Sequence, residues 1–241
     1  PKTPRRQRQM CIRDRAHPDD IELGAAGTLI KHVNMGCSVG MLDLTRGELG
    51  TRGNAELRSK EAELAKNYIS ASFRDNLGLK DGFIEEDEQS VKLLVQKIRL
   101  YRPKIILCNA VRDRHPDHGV AASLVLKAVF SAGLPKIETL HNGKSQKPFR
   151  PNAVYHYIQD RWIDPDFVVD VTEEFEDKMN AVMCFKSQFY DPNSNEPNTP
   201  ISSKEFLSSL ESKALLCGRI IGVKYGDCLL YTSPSPRDRN V

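Results

Sequence analysis

The chain has 241 residues, enough for one large α/β domain, and nothing in its composition calls for a second. Its formal charge of +3 is concentrated at one end: residues 1–15 carry a net +5, leaving the remainder near −2 and without the basic, aromatic-studded patch of single-strand nucleic-acid binders. No run of eighteen apolar residues exists, and the basic first fifteen lack the apolar segment of a secretory signal, so neither nucleic acid nor membrane is an expected partner.

Residues 1–15 hold few apolar side chains for a buried strand; either Met10–Ile12 forms a poor one, or the first strand of the sheet is missing. The run Ala16-His17-Pro18-Asp19-Asp20 follows. Ile21, Ala25, Leu29, Ile30 and Val33 recur at helical spacing up to Met35 and Gly36, with Asp19 or Asp20 at the cap position. Ser38–Leu44 reads as an inner strand, which gives the order loop, helix, strand of a crossover unit. Thr45–Asn54, with Gly47, Gly50 and Gly53, is a flexible loop without phosphate-loop spacing. Ala55–Ile69 is a charged helix with Arg58 in its first turn, where a cation opposes the helix dipole and so points to an acidic partner or an anionic ligand.

Leu79–Phe83 is a turn, and a helix over Glu88–Leu100 ends before Pro103. Ile105–Ala110 is the next inner strand, which puts the loop Val111–His118 on the same sheet edge as residues 17–20. A helix follows over His118–Ala132, then a loop over Gly133–Pro151, short strands at Ala153–Ile158 and Phe167–Val171, and a helix over Glu173–Phe189. Tyr190–Ser202 is a loop near the pocket mouth, Ser203–Gly218 the last helix and Ile220–Tyr225 an extended segment. The stretch 227–241, like residues 1–15, resembles translated adaptor sequence, so the domain is expected over 16–226 with both ends set aside. There is no C-x-x-C pair; Cys37, Cys108 and Cys184 lie among apolar residues and read as reduced, which suits a cytoplasmic location.

Two clusters carry the chemistry: His17-Pro18-Asp19-Asp20 and His115-Pro116-Asp117-His118, which hold three of the six histidines. A catalytic zinc takes three nitrogen or oxygen ligands and keeps one position for water. His17 and Asp20 face one ion from a tight loop, and His118 completes the set. Asp19 is left as general base, against the blander reading of helix cap or brace. His115 is placed to neutralise a tetrahedral oxyanion, and Asp117 to fix the tautomer of one imidazole. Asp113, Arg112 and Arg114 are assigned nothing beyond solvating their loop. A non-catalytic metal-binding protein is the alternative outside enzymes; a closed structural zinc site favours four ligands and thiolates, and no cysteine lies near either cluster.

These residues resemble the zinc-dependent de-N-acetylases that include the N-acetylglucosaminyl-phosphatidylinositol and mycothiol-pathway deacetylases. More narrowly, residues 43–53, Asp-Leu-Thr-Arg-Gly-Glu-Leu-Gly-Thr-Arg-Gly, and Ser187-Gln188-Phe189 resemble the bacillithiol-pathway deacetylases, over most of the chain from Ala16 to Gly226. The resemblance implies a Rossmann-like three-layer α/β sandwich with a mostly parallel sheet and a trimeric or hexameric assembly. It implies Zn2+ held by His17, Asp20 and His118, with Asp19 as base, His115 as electrostatic or acid partner and Arg58 near the substrate. It further implies hydrolysis of N-acetylglucosaminyl malate to glucosaminyl malate and acetate, with an amidase or deacetylase of another N-acetylglucosamine or thiol-sugar conjugate as the alternative. Arg58 with Arg46 or Arg52 is expected to hold the carboxylate, bidentate in the favourable case. Where the family often has an acidic residue after the Asp pair, this chain has Ile21.

Overall fold

The computed structural model describes residues 10–232; the remainder of the two stretches set aside above, 1–9 and 233–241, lies outside the described residues. Strands and helices alternate through the first half: β1 (Met10–Arg15), α1 (Asp20–Asn34), β2 (Ser38–Thr45), α2 (Ala55–Ile69), β3 (Phe73–Leu79), α3 (Glu88–Tyr101), β4 (Ile105–Cys108) and α4 (Pro116–Ala132). Then come β5 (Leu140–His141), β6 (Lys144–Ser145), β7 (Ala153–Tyr157), β8 (Phe167–Asp170), α5 (Phe175–Val182), α6 (Lys204–Ile221) and β9 (Gly226–Tyr231).

One seven-stranded sheet runs in the order β3-β2-β1-β4-β7-β9-β8. The first five strands are parallel to their neighbours, whereas β9 enters antiparallel between β7 and β8. The sheet is therefore an α/β sheet of mixed direction in which β9 alone runs against the other six strands, as the mostly parallel sheet expected allows. Helices cover both faces because side chains alternate along each strand. Val39 and Met41 of β2 pack with Ile21, Ala25 and Leu29 of α1, while Leu42 and Leu44 turn to Leu94, Ile98, Leu124 and Val125 of α3 and α4.

Several expectations are corrected. Met10–Arg15 does fill the central slot, paired in parallel with Ser38–Asp43 on one side and Ile105–Leu107 on the other. Ladder pairing is made by backbone N–H and C=O, which are indifferent to side-chain polarity. At the other end, β9 starts at Gly226, so paired strands reach beyond both limits of the span 16–226. Its Asp227 is buried, accepting from the Thr28 N–H at 2.8 Å and hydroxyl at 2.9 Å and pairing with Lys178 at 2.6 Å. The extended segment expected at Ile220–Tyr225 lies later because α6 runs on through Ile221 and stops at Gly222, whose φ of 76° suits a glycine terminator.

The edge strand β3 had no expectation attached to it. The loop expected over 133–151 contains the β5–β6 hairpin, turned at Asn142 and Gly143, both at positive φ. The helix expected to reach Phe189 ends at Val182, and the turns after it still bury Phe185 and Phe189 completely. Cys217 of α6 and Cys228 of β9 form a disulfide, while Cys37, Cys108 and Cys184 are thiols. No helix among the described residues is long and apolar enough to cross a membrane.

Candidate metal centre

Both histidine clusters emerge at the carboxyl ends of adjacent strands, His17 after β1 and His115–His118 after β4, where open α/β sheets keep their sites. Asn109 ties the two loops: its Oδ1 accepts from the Ala16 N–H at 2.7 Å and its Nδ2 donates to Asp20 Oδ2 at 3.1 Å. The Ala16 carbonyl in turn accepts from the Thr45 N–H and hydroxyl of β2. Three strands thus fix the position of one short loop.

Asp20 is the centre of the cluster. Its Oδ2 accepts from the His17 N–H at 2.9 Å and stands 3.4 Å from His17 Nδ1. Its Oδ1 accepts from Gln159 Nε2 at 2.8 Å and stands 3.2 Å from His118 Nε2. The outer nitrogens of both rings face carboxylates: His17 Nε2 is 3.0 Å from Asp81 and 3.4 Å from Asp117, and His118 Nδ1 is 2.6 Å from Asp113. Carboxylate partners of this kind keep a proton on the outer nitrogen and leave the inner lone pair for a metal. His17 Nδ1, Asp20 and His118 Nε2 then converge as two imidazoles and a carboxylate, a donor set suited to a divalent transition metal. Close ligand-atom groups also occur as His17, His115 and His118, and as His17, Asp81 and Asp117, each within 4.8 Å. The second uses the outer nitrogen of His17.

Electrostatics follow from this crowding. Burial disfavours a charged ring at His17, but the hydrogen bonds of Asp117, Asp20 and Asp81 outweigh it and hold its pKa well above the usual value. At His118 burial is likewise outweighed, by Asp20 and Asp113, and the pKa rises to about 9. Asp20 goes the other way: burial raises it, but His118 and His17 hold it well below the ordinary carboxylate value. His115 is depressed by burial and by the neighbouring charges of His17 and His118. Its Nδ1 accepts from the Asp117 N–H at 3.3 Å, so the neutral ring carries its proton on Nε2.

Asp19 lies beside this centre with φ of 117°, a backbone region that non-glycine residues rarely occupy, and makes no side-chain cap to α1. Burial raises its pKa to about 7, opposed by Arg58 and assisted by Asp20. Arg58 answers it directly: one terminal nitrogen donates to Asp19 Oδ2 at 3.1 Å and to Gln188 Oε1, and the other to the Gly47 carbonyl at 3.1 Å. Gly47 must be glycine, since a Cβ there would stand 2.0 Å from the guanidinium.

The cavity over these groups holds about 310 Å³, with Asp19, Arg58, Asp81, His115 and Gln188 in its walls. The two arginines expected to join Arg58 in holding a carboxylate are not among them. Arg46 opens into a separate cleft beside Lys60 and Asn76. Arg52 is buried under the loop that follows α5, bonding the Phe189 carbonyl and Ser194. Asp81, Asn109 and Gln159 drew no attention in the sequence, because a carboxylate or amide in a turn has no spacing that marks it. Asp113 did have a signal, an acid five residues before His118. The role of loop solvation assigned to it is overturned by its buried contact with the ring and by the Asp160 and Arg161 N–H groups it accepts.

A family model described as "PIG-L: GlcNAc-PI de-N-acetylase" matches residues 15–129. The chain is 31% identical over 191 residues to the diacetylchitobiose deacetylase of Thermococcus kodakarensis, a match spanning 75% of this chain and 69% of that protein. It is 25% identical over 189 residues to the Bacillus subtilis protein named "Probable N-acetyl-alpha-D-glucosaminyl L-malate deacetylase 2", across 71% of this chain and 80% of that one. Among solved structures, the conserved protein TT1542 from Thermus thermophilus superposes with a TM-score of 0.81 at 33% identity, covering 94% of each chain.

Proposed function

The chain belongs to the PIG-L family of de-N-acetylases, and on that premise we propose that it is a zinc-dependent hydrolase that removes the acetyl group from an N-acetylglucosaminide. The observation that carries this reading is the convergence of His17 Nδ1 and His118 Nε2 on Asp20, each ring braced from behind by a carboxylate. His17, Asp20 and His118 would hold a divalent ion, which would supply Lewis acidity toward an acyl oxygen and water.

The chain's own groups supply the proton chemistry. Asp19, kept near neutrality by burial, takes the proton of the attacking water as the new C–O bond forms. Arg58 holds that carboxylate in place from 3.1 Å and is therefore committed to Asp19 before any substrate carboxylate arrives. His115, neutral with its proton on Nε2, donates to the acyl oxygen as charge grows there. Cleavage of the C–N bond then leaves acetate and a free amine, the amine taking up the proton held by Asp19.

N-acetylglucosaminyl malate is the first substrate we propose, supported by the resemblance of residues 43–53 and by the relative named for that activity. Arg114, exposed at the cavity wall with its Nε donating to Asp160 at 2.7 Å, is the cation we assign to its carboxylates, since Arg46 and Arg52 lie elsewhere. A second reading, a disaccharide substrate, is favoured by the 31% identity to a diacetylchitobiose deacetylase. A cytoplasmic trimer or hexamer built from this one domain completes the proposal. Acetate release from both compounds, with and without added zinc, tests it; a zinc-loaded protein inert on every N-acetylglucosaminide would defeat the reading.

A further inference from the structure

Ser187, Gln188 and Phe189 lie in the turns after α5, and the reaction as derived gives them no part. Phe185 and Phe189 are fully buried in an apolar cluster with Leu23, Ala62 and Val182. Gln188, only 5% exposed, is a polar side chain where an apolar one would pack with no hydrogen bonds to satisfy. Its amide is instead satisfied at both ends, by α2, by the loop before α2 and by Ser187.

That amide has one allowed orientation. Its Nε2 donates to the Arg52 carbonyl at 3.0 Å, which can only accept, and to Ser187 Oγ at 2.8 Å. Ser187 has no hydroxyl hydrogen to offer in return, because its Oγ donates to Glu61 Oε2 at 2.6 Å while its N–H donates to Glu61 Oε1 at 2.7 Å. Gln188 Oε1 therefore faces the other way. There it accepts from the terminal nitrogen of Arg58 that also donates to Asp19 Oδ2 at 3.1 Å. The donors run in one direction, from Arg58 to Gln188 to Ser187 to Glu61. Arg58 and Glu61 are three residues apart on α2 and both buried, so the circuit begins and ends on one helix.

A neutral acceptor suits this place. A carboxylate beside Arg58 would compete with Asp19 for the same nitrogen, whereas an amide oxygen holds the guanidinium and leaves its charge to Asp19. We propose that Gln188 is a positioning residue for proton transfer: it fixes the Arg58 guanidinium and, through it, the carboxylate of Asp19. This role rests on the deacetylase reading for Asp19 as the base, while the hold on Arg58 is independent of it.

Gln188→Met keeps the length of the side chain and removes both polar atoms. In the zinc-loaded enzyme kcat should fall about ten- to a hundredfold, the scale of a hydrogen bond to a charged group, with KM and zinc affinity within about twofold of wild type. Gln188→Glu, nearly identical in shape, should lose at least as much and carries the test should the methionine variant not fold. Added to Asp19→Asn, Gln188→Met should lower kcat no further, since the carboxylate it positions is gone. A purely structural Gln188 would show the same loss in both backgrounds. The metal-free protein gives a second readout by NMR. There the two terminal guanidinium nitrogens of Arg58, distinct in wild type because rotation is slow, should exchange faster in Gln188→Met. Wild-type kcat in either folded variant, a loss that persists beside Asp19→Asn, or unchanged Arg58 resonances overturns the proposal. Faster exchange at Arg58 in a protein that, loaded with zinc, releases acetate from no sugar would uphold the hold on Arg58 and overturn the deacetylase reading instead.

Discussion

Replacing Asp113 with asparagine is expected to weaken metal binding by about ten- to a hundredfold, the range for loss of a carboxylate that braces a ligand histidine. Only one of the two carboxylate oxygens can become the amide nitrogen. Asp113 Oδ1 accepts from the Asp160 N–H at 3.1 Å and the Arg161 N–H at 2.8 Å, so the asparagine must keep its carbonyl there. Its NH2 group then faces His118 Nδ1, which the aspartate contacts at 2.6 Å. Two donors cannot share that contact, so the ring shifts its proton to Nε2, the atom aimed at Asp20. Restoring the metal-binding tautomer breaks that hydrogen bond and leaves a buried donor unpaired, at a cost of about 1–3 kcal/mol, which reproduces the tenfold to hundredfold loss. Competition against a chromophoric chelator measures the affinity, and near-ultraviolet circular dichroism shows whether the fold is kept. Wild-type zinc affinity in a folded Asp113→Asn variant would refute the tautomer argument and demote Asp113 to a loop brace.

Asp19→Asn should retain zinc yet lose about a hundredfold or more in turnover, as expected when a positioned base is removed; loss of zinc together with activity would make Asp19 a ligand. Metal binding should release about two protons at neutral pH, because the raised pKa values of His17 and His118 leave both rings charged in the metal-free protein. Zinc affinity should accordingly climb with pH and level off above about 9, and calorimetry in buffers of different ionisation enthalpy counts the protons. The metal-free protein should behave oppositely in stability: a pKa raised above its unfolded value stabilises below that value, and the contribution fades as pH rises through about 9. Thermal melts across that range check the sign. Asp227→Ala, which leaves Lys178 buried without its 2.6 Å partner, should cost about 3–5 kcal/mol in denaturant unfolding, and a loss below about 1 kcal/mol would show the pair to be dispensable.

The parts of this site legible in the sequence are those that carry their own chemistry in one short run. His17, Asp20 and His118 stand in two clusters rich in ligand atoms, and the strand-loop-helix order alone puts both clusters on one edge. What supports them is drawn from elsewhere: Asp81 from a turn, Asn109 from the end of β4, Gln159 from the loop after β7. Each becomes part of the site only through a contact across the fold, to which neither propensity nor periodicity is sensitive. Arg46 and Arg52 fail for the converse reason. Nearness in a flexible loop says nothing about direction, and one faces another cleft while the other is spent on carbonyl and hydroxyl partners. The strands behave alike. β2 announces itself by burial on both faces, whereas β3, Phe-Arg-Asp-Asn-Leu-Gly-Leu, is a half-buried edge whose polar residues disguise it.

The tie between Thr28 and Asp227 spans 199 residues, and it gives the molecule a timetable. Helix α1, which begins with Asp20, leaves the ribosome 199 residues ahead of the carboxylate that receives its Thr28. At about 5–20 residues per second, that interval is about 10–40 s. Throughout it, the helix carrying the first half of the metal site lacks its clamp, and His118 arrives midway to a partner that is not yet anchored. Maturation of the centre is thus deferred until β9 closes the sheet, and a nascent chain stalled before Asp227 would present the histidines without the framework that aims them.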